Sequence, residues 1–223
     1  MFYQNTCRAA FLARPNRFLA QVLLDGAETV CHVKNTGRCR ELLLPGAPVI
    51  LEKAANPARR TAYDLVAVYK GDTLVNIDSQ APNRLAAEYL PTLFPGAVLR
   101  PECVFGDSRL DFRVELPAGA AYVEVKGVTL EEDGLALFPD APTARGTRHL
   151  RELMRAKSAG YGAAVLFVIQ MEGCREFAPN GRTDPEFART LRQARDAGVD
   201  VLTVACRVTE SAMTPLSPVP VRL

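Results

Sequence analysis

The sequence contains no tryptophan and only two histidines, His32 and His149. None of its six cysteines forms a Cys-x-x-Cys pair, which argues against a structural zinc site. So few histidines also leave little room for a Ser-His-Asp triad or a histidine-rich metal centre. The phosphate-loop, dinucleotide-binding and Gly-x-Ser-x-Gly motifs are absent as well, which removes three common classes of enzyme.

The chain also lacks a strong charge of one sign and a long hydrophobic run. Its 27 Lys and Arg residues against 25 Asp and Glu residues give a net charge of +2, so any nucleic-acid surface must be a local patch. The longest apolar run, residues 163–169, is too short to span a bilayer. The first residues do not resemble a signal peptide. We therefore expect a cytoplasmic protein with reduced cysteines and no membrane partner.

The first 80 residues read as short strands separated by turns. Asp25-Gly26 is a hairpin signal, because both residues tolerate the positive φ of a tight turn. The segment Arg38–Leu44 is expected to form one or two helical turns. About five strands and a small helix suggest a closed β-barrel, of which the oligonucleotide/oligosaccharide-binding (OB) barrel is the commonest, although strand count alone cannot select it.

The pattern of predicted elements changes after residue 80, and residues 81–223 predict a mixed α+β domain. Helical patterns alternate with strand patterns, and the apolar run 163–169 is typical of a strand buried on both faces of a sheet. We therefore expect an α/β architecture with a mixed central sheet over 81–223, after a barrel over 1–80. The proline-containing tail, 214–223, should lie extended on the surface or join a sheet edge.

Three residues form the best candidate for catalysis: Asp111, Glu124 and Lys126. Strand alternation puts Glu124 and Lys126 on one face, and a turn at 116–119 could bring Asp111 level with Glu124. Two adjacent carboxylates repel each other unless a divalent cation lies between them, and hard oxygen ligands suit Mg²⁺ or Mn²⁺. Lys126 could then position an attacking water and stabilise charge on a phosphate.

The same short pattern also fits an ordinary hairpin with a neutralising lysine, and this alternative stays open at the level of the sequence. The apolar character of the strand, with Val123, Val125 and Val128, favours an interior position, where Glu and Lys are rare without a partner or a task. Glu88, on the helix that precedes these strands, could complete or flank the metal site. Alone, it would more often be a solvated helix residue.

Two basic segments are candidates for contacts with nucleic acid. The first is a loop beside a glycine, with Lys34, Arg38 and Arg40. The second lies near the start of a helix, where Thr147 is a plausible N-cap, and it contains Arg145, Arg148, His149 and Arg151. On charge alone, a solvated surface explains either segment equally well.

In these residues the chain resembles the sugar fermentation stimulation protein A family of bacteria and archaea. The resemblance covers nearly the whole chain, in order, through the stretches Asn16-Arg17-Phe18-Leu19-Ala20, Asn35-Thr36-Gly37-Arg38, Glu41-Leu42-Leu43, Pro45-Gly46, Asn83-Arg84-Leu85 with Glu88, Ser108-Arg109-Leu110-Asp111-Phe112, Val123-Glu124-Val125-Lys126, Val128-Thr129-Leu130, Phe138-Pro139-Asp140-Ala141 and Arg145-Gly146 with His149-Leu150. It departs from the family pattern at Lys34, where a proline is usual, and at Cys39, where methionine is common. Both departures affect the loop of the first domain.

The resemblance implies an OB-like first domain and a second domain like the PD-(D/E)xK nucleases. It assigns the metal-binding and catalytic roles of that motif to Asp111, Glu124, Lys126 and the helix residue Glu88. It further implies a nucleic-acid partner, DNA with RNA as the alternative. Two hypotheses follow: a metal-dependent nuclease, and a DNA-binding regulator of sugar-fermentation genes whose site is vestigial or structural. The sequence leaves the oligomeric state open, a dimer included.

Overall fold

The computed structural model describes residues 1–35, 37 and 39–223. The first part of the chain forms a sheet with the strand order β3-β2-β1-β4-β5-β6. A parallel pairing of β3 with β5 closes the first five strands into a barrel, as the OB prediction requires. The strands are β1 Thr6–Asn16, β2 Leu19–Leu24, β3 Ala27–Val33, β4 Pro48–Lys53, β5 Tyr63–Lys70 and β6 Thr73–Asn76.

Local turn chemistry explains the two hairpins of the barrel. Asn16 ends β1, and its side-chain oxygen accepts hydrogen bonds from the backbone of Phe18 at 2.9 Å and Leu19 at 3.0 Å. Asp25 and Gly26 join β2 to β3 with φ of 50° and 81°, the pattern of a type I′ turn. The hairpin predicted at Asp25-Gly26 is therefore confirmed.

The connection between β3 and β4 contains one helical turn rather than a helix. The backbone N–H of Leu43 donates to the carbonyl of Cys39 at 2.9 Å, and Leu42 and Leu43 are buried in the barrel core. Arg38, at the start of the predicted helical segment, lies outside the described residues.

The second part of the chain is built on a mixed six-stranded sheet, as expected. Its strand order is β15-β14-β12-β9-β8-β7, with β9, β12 and β14 parallel and the other pairings antiparallel. A separate three-stranded sheet has the order β10-β11-β13. The elements are α1 Ala81–Leu93, β7 Val98–Phe105, β8 Ser108–Leu116, β9 Gly119–Val128, β10 Leu130–Glu132, β11 Leu135–Phe138, α2 Ala144–Ser158, β12 Gly162–Ile169, β13 Glu176–Pro179, α3 Pro185–Asp196, β14 Asp200–Thr209 and β15 Ala212–Pro215.

Helices cover both faces of this sheet and create two cores. On one face, Leu85 and Leu90 of α1 pack with residues such as Val123 of β9. On the other face, Leu150 of α2 and Leu191 of α3 pack with β12. Because β12 is covered on both faces, its sequence is a continuous apolar run.

The C-terminal tail adds backbone hydrogen bonds to the edges of two sheets. The N–H of Leu216 donates to the carbonyl of Ala205 at 2.8 Å, and the N–H of Phe177 donates to the carbonyl of Pro220 at 2.9 Å. The expectation that the tail joins a sheet edge is confirmed. The tail thereby links β14 of the large sheet to β13 of the small one.

A buried polar network joins the barrel to the second part of the chain. Asn76 Nδ2 donates to the Tyr3 hydroxyl at 2.8 Å, and Gln170 Nε2 donates to Asn76 Oδ1 at 2.9 Å. The N–H of Tyr3 also donates to the carbonyl of Ser211 at 2.8 Å. Hydrogen bonds therefore fix the position of the barrel relative to the large sheet. No helix in the described part of the chain is long and apolar enough to cross a membrane.

Candidate metal centre

Asp111 marks the point where β8 and β9 separate. The last pair of the β8–β9 ladder at this end is Phe112 with Val123. One residue further, Asp111 Oδ2 accepts a hydrogen bond from the backbone N–H of Val125 at 2.8 Å, and Asp111 Oδ1 accepts one from Asn83 Nδ2 at 2.8 Å. The side chain of Asp111 thus occupies the position of a strand partner, and this fixes its carboxylate beside β9.

Glu124 lies on β9 and is 2% exposed. Its Oε1 contacts both Lys126 Nζ and His149 Nδ1. The other ring nitrogen of His149, Nε2, accepts from Arg145 Nε at 3.4 Å. A neutral imidazole with its proton on Nδ1 satisfies both contacts. Two side chains therefore hold a single oxygen of the Glu124 carboxylate.

The second oxygen of Glu124 is the informative atom of the site. Oε2 is buried and has no hydrogen-bond partner among the described residues. A buried carboxylate oxygen without a partner is costly and requires a physical explanation. Together with Asp111 it offers hard oxygen donors, which fit a divalent cation.

The two carboxylates do not form a complete protein cage. Within residues 1–35, 37 and 39–223, no three Asp, Glu, His or Cys side chains converge in a metal-ligand group. Mg²⁺ is commonly bound by one or two carboxylates, with water and substrate phosphate oxygens as the remaining ligands. Asp111 and Glu124 therefore fit an open site of this kind better than a closed structural one.

Electrostatics differentiate the two carboxylates. Burial, together with the negative charge of Glu124, raises the pKa of Asp111 above its usual range. Burial also acts to raise the pKa of Glu124, but the hydrogen bond from His149 and the charge of Lys126 outweigh it and lower that pKa. Glu124 is thus held ionised, whereas Asp111 would gain from a neighbouring positive charge.

Glu88 is not placed with these carboxylates. It is exposed on α1, and its Oε2 accepts a hydrogen bond from the N-terminal ammonium of Met1 at 2.7 Å. The residue that α1 directs toward the site is Asn83, through its bond to Asp111. The sequence analysis did not assign Asn83 a role. Its signal was its place in the first turn of the helix that precedes the strands with Asp111 and Glu124. The expectation that Glu88 adds to the metal site gains no support from this geometry.

The residues predicted in the basic loop of the barrel differ in their burial and in their ion pairs. Lys34 Nζ is mostly buried and lies 3.3 Å from Asp64, 3.6 Å from Asp78 and 3.7 Å from Glu52. Three carboxylates surround its ammonium group, so Lys34 forms ion pairs within the barrel, and its predicted role as a phosphate contact gains no support from this geometry. Arg40 is exposed and forms no ion pair within the described part of the chain. Arg38 lies outside the described residues.

The basic segment of α2 also divides into buried and exposed residues. His149 is 2% exposed and hydrogen-bonded to Glu124, so it holds that carboxylate in place, and its predicted contact with phosphate gains no support from this geometry. Arg145 and Arg148 are exposed. Arg151 is exposed and forms an ion pair with Glu186 at 2.7 Å.

The N-cap of α2 differs from the expectation. The cap is Thr143, whose side chain accepts from Gly146 N at 3.1 Å, whereas Thr147 is buried within the helix. The helix therefore begins one turn earlier than predicted. The extra turn contains Arg145, which the earlier start places against His149.

The fold defines a class of protein: an OB barrel followed by an α+β domain with a mixed central sheet. Residues 12–77 match the family model described as "SfsA N-terminal OB domain", and residues 80–212 match "Sugar fermentation stimulation protein RE domain". The chain belongs to the sugar fermentation stimulation protein (SfsA) family.

Individual relatives match along almost their entire length. A sugar fermentation stimulation protein homolog of Desulfitobacterium hafniense is 50% identical over 215 residues, which cover 96% of this chain and 94% of the relative. A homolog of Clostridium botulinum (strain Loch Maree / Type A3) is 47% identical over 226 residues, with 99% and 98% coverage. The structure of Pyrococcus furiosus SfsA in complex with Ca²⁺ is similar with a TM-score of 0.91, 26% identity and coverage of 100% and 98%.

Proposed function

We propose that this protein is a divalent-metal-dependent nuclease that hydrolyses phosphodiester bonds. The observation that carries the proposal is the asymmetry of Glu124: its Oε1 is held by Lys126 and His149, while its buried Oε2 has no partner among the described residues. A purely structural ion pair would be expected to satisfy both oxygens. An open oxygen next to Asp111 instead supports a place for a cation.

Mg²⁺ or Mn²⁺ is the cofactor that we propose, with Asp111 and Glu124 as its protein ligands. The Pyrococcus furiosus SfsA structure is a complex with Ca²⁺, another hard cation that prefers oxygen ligands. When bound, such a cation neutralises charge on the phosphate and makes the phosphorus more open to attack.

The residues of the chain have distinct tasks in this proposal. Asn83 and the backbone of Val125 fix Asp111, each through a hydrogen bond of 2.8 Å. His149 fixes the rotamer of Glu124 from the buried side. Lys126 is 15% exposed and is the cation of the group that can reach solvent, where it would position the attacking water and stabilise charge on the phosphate.

The substrate in this proposal is a nucleic acid, with DNA as the first candidate and RNA as the alternative. Exposed Arg145 and Arg148 on α2, and exposed Arg40 on the barrel, would contact phosphates. Arg145 is the closest of these to the centre, because its guanidinium contacts the ring of His149.

Cleavage assays test the proposal directly. Labelled single- and double-stranded DNA and RNA would be incubated with Mg²⁺, with Mn²⁺ or with a chelator. We expect metal-dependent cleavage, reduced at least about 100-fold in Lys126→Met and Asp111→Asn, with binding retained. Arg192→Gln, an exposed arginine of α3 without an ion pair in the described residues, is the matched control and should cut normally.

The regulator hypothesis predicts a different pattern in the same assays. The name of the relatives, sugar fermentation stimulation protein homolog, is the observation that favours it. A non-catalytic DNA-binding protein would bind without cutting under every metal condition, equally in wild type and Lys126→Met. That result would contradict the nuclease proposal and leave Asp111 and Glu124 with a structural or vestigial role.

A further inference from the structure

An open groove lies beside the first turn of α1, on the side of Arg84. Its volume is about 640 Å³, and its lining includes Phe2, Lys53, Arg59, Asp64 and Arg84. The N-terminal segment forms one wall, held by the bond from Gln4 N to Glu52 at 3.0 Å and by the bond from Lys53 N to Asn5 O at 3.2 Å. A groove of this size can hold a ligand of about one or two nucleotides.

The acidic residues of the groove are already compensated. Asp64 accepts from Arg59 at 2.7 and 2.9 Å and also contacts His32 and Lys34. Glu52 is bonded to Gln4 N and lies 3.7 Å from Lys34. Arg59 therefore offsets the charge of Asp64, while Glu52 shares the charge of Lys34 with two other carboxylates, so the lining keeps more cations than uncompensated anions.

Two cations of the groove have no such compensation. Lys53 and Arg84 are exposed, and neither lies within ion-pair distance of a carboxylate among the residues that the structure describes. Arg84 is oriented by the carbonyl of Phe2, at 3.2 Å, and by the ring of Tyr3, at 5.9 Å. The net charge that the groove presents is thus positive, which suits an anion such as a phosphate.

An exposed aromatic ring stands next to these cations. Phe2 is 71% exposed, although its backbone is anchored by pairing with Ala212. A large exposed ring on a fixed backbone, beside cations, is the arrangement on which unpaired bases stack in single-strand binding proteins. A base pair inside a duplex does not offer its face to such a ring.

The first turn of α1 connects the groove to the candidate metal centre. Arg84 directly follows Asn83, the residue that is bonded to Asp111, so their Cα atoms are about 3.8 Å apart. We propose that this groove binds a nucleotide of a single-stranded segment whose neighbouring phosphodiester occupies the metal centre. The inference rests on the proposed function and specifies the form of its substrate.

Fluorescence anisotropy with a labelled dT12 oligonucleotide, in chelator and over a range of salt concentrations, tests this inference. Lys53→Gln/Arg84→Gln should bind more weakly, and its slope of log affinity against log salt should fall by about 1.4, at about 0.7 per phosphate contact. Phe2→Ala should weaken binding about 5- to 100-fold without a change in slope. Arg192→Gln removes one positive charge elsewhere on the surface and should bind like wild type.

The outcomes separate this inference from the proposed function. Suppose that wild type binds dT12 and shows cleavage that is lost in Lys126→Met, while the groove variants bind dT12 normally. The groove inference is then wrong and the nuclease proposal stands. The groove inference would also be wrong if the groove variants lost as much affinity for a 12-base-pair duplex as for dT12. It would likewise be wrong if wild type bound dTMP but did not bind dT12. If wild type binds no nucleic acid at low salt, both proposals fail. The single variant Lys53→Gln is the control for misfolding of the double variant, because the structure gives the Lys53 side chain no partner in the described residues.

Discussion

The chemistry of the candidate site depends on individual side chains, and Glu124 is the clearest case. A buried carboxylate normally has both oxygens satisfied, because an unpaired charge in the interior is expensive. Here Oε1 has two partners and Oε2 has none in the described part of the chain. The protein therefore stabilises an ionised carboxylate and leaves one of its oxygens without a partner, as the proposed role of Glu124 as a metal ligand requires.

His149 should act as a positioning residue through its bond to Glu124. His149→Phe keeps an aromatic ring but removes the donor, so we expect metal-dependent cleavage to fall about 10- to 100-fold. The Mg²⁺ concentration for half-maximal cleavage should rise, because the rotamer of Glu124 is released. His149→Asn can still donate from a position close to Nδ1 and should restore part of the activity. Equal losses in both variants, with unchanged Mg²⁺ dependence, would mean that His149 is only structural.

A second prediction concerns Asp64 and the free energy of unfolding at low pH. Burial acts to raise its pKa, but the hydrogen bonds from Arg59, the charge of Lys34 and the contact with His32 lower it to about 2, from an ordinary value of 3.8. Because the pKa is lower in the folded state, this group stabilises the protein above about pH 4. That contribution, about 2 kcal/mol, is lost as the pH falls from about 4 toward 2.

Urea unfolding of wild type and Asp64→Asn at pH 6, 4 and 3 measures this effect. We expect the variant to be less stable by about 2 kcal/mol at pH 6, with a difference that shrinks in acid. Asp72→Asn, at an exposed position, is the control and should change stability little at any of these pH values. A difference that is the same at all three pH values would contradict the assigned titration.

Among the secondary-structure elements, strand β9 needs a glycine at position 127 so that Gln170 and α1 can pack closely against it. A Cβ on Gly127 would lie 2.3 Å from Gln170 Oε1 and 2.7 Å from Pro82 Cγ of α1. Gly127→Ala should therefore push α1 away and destabilise the protein by about 1–3 kcal/mol. Because Asn83 follows Pro82, cleavage should also fall. Gly181→Ala, whose Cβ would meet only Ala188 at 3.7 Å, is the matched control. Equal unfolding free energies for the two variants would contradict the close approach.

The elements that local chemistry specifies were predictable from the sequence. The Asp25-Gly26 turn, the alternation of Glu124 and Lys126, and the apolar strand β12 depend on residues within a few positions of one another. The short strands β10, β11, β13 and β15 carry no comparable pattern. They form because distant segments offer them partners, such as the pairing of β11 with β13.

The choice of α1 residue for the site shows why the remainder was not predictable. At about 100° per residue, Asn83 and Glu88 are rotated about 140° apart on the helix, so that both cannot face Asp111. The apolar stripe with Leu85 indicates which side is buried. Which polar neighbour meets the strand end depends on how α1 packs on β9. Lys34 illustrates the same limit, because its three carboxylates come from β4, β5 and the segment after β6.

In the molecule as a whole, the candidate metal centre and the proposed groove depend on a fixed junction between the barrel and the large sheet. Asn76 is fully buried at this junction. It donates to the Tyr3 hydroxyl, and its Oδ1 accepts from Gln170 Nε2 at 2.9 Å and from Asp78 N at 3.1 Å. Gln170 also packs against Gly127, close to Lys126. The junction thus connects the barrel to the strand that carries the site.

Asn76→Ala should uncouple the two parts of the molecule. The substitution leaves the backbone N–H of Asp78 without its Asn76 acceptor in a buried region, at about 1–3 kcal/mol. It also removes the donor to the Tyr3 hydroxyl, while Gln170 Nε2 keeps the backbone carbonyls of Asn76 and Asp78 as acceptors at 3.1 and 3.3 Å. We expect wild type to unfold in one calorimetric transition with equal calorimetric and van't Hoff enthalpies, and the variant to show a broadened or double transition. Asn56→Ala, in an exposed loop, should retain a single transition. A single sharp transition in Asn76→Ala, at the midpoint of wild type, would show that the junction does not couple the barrel to the site.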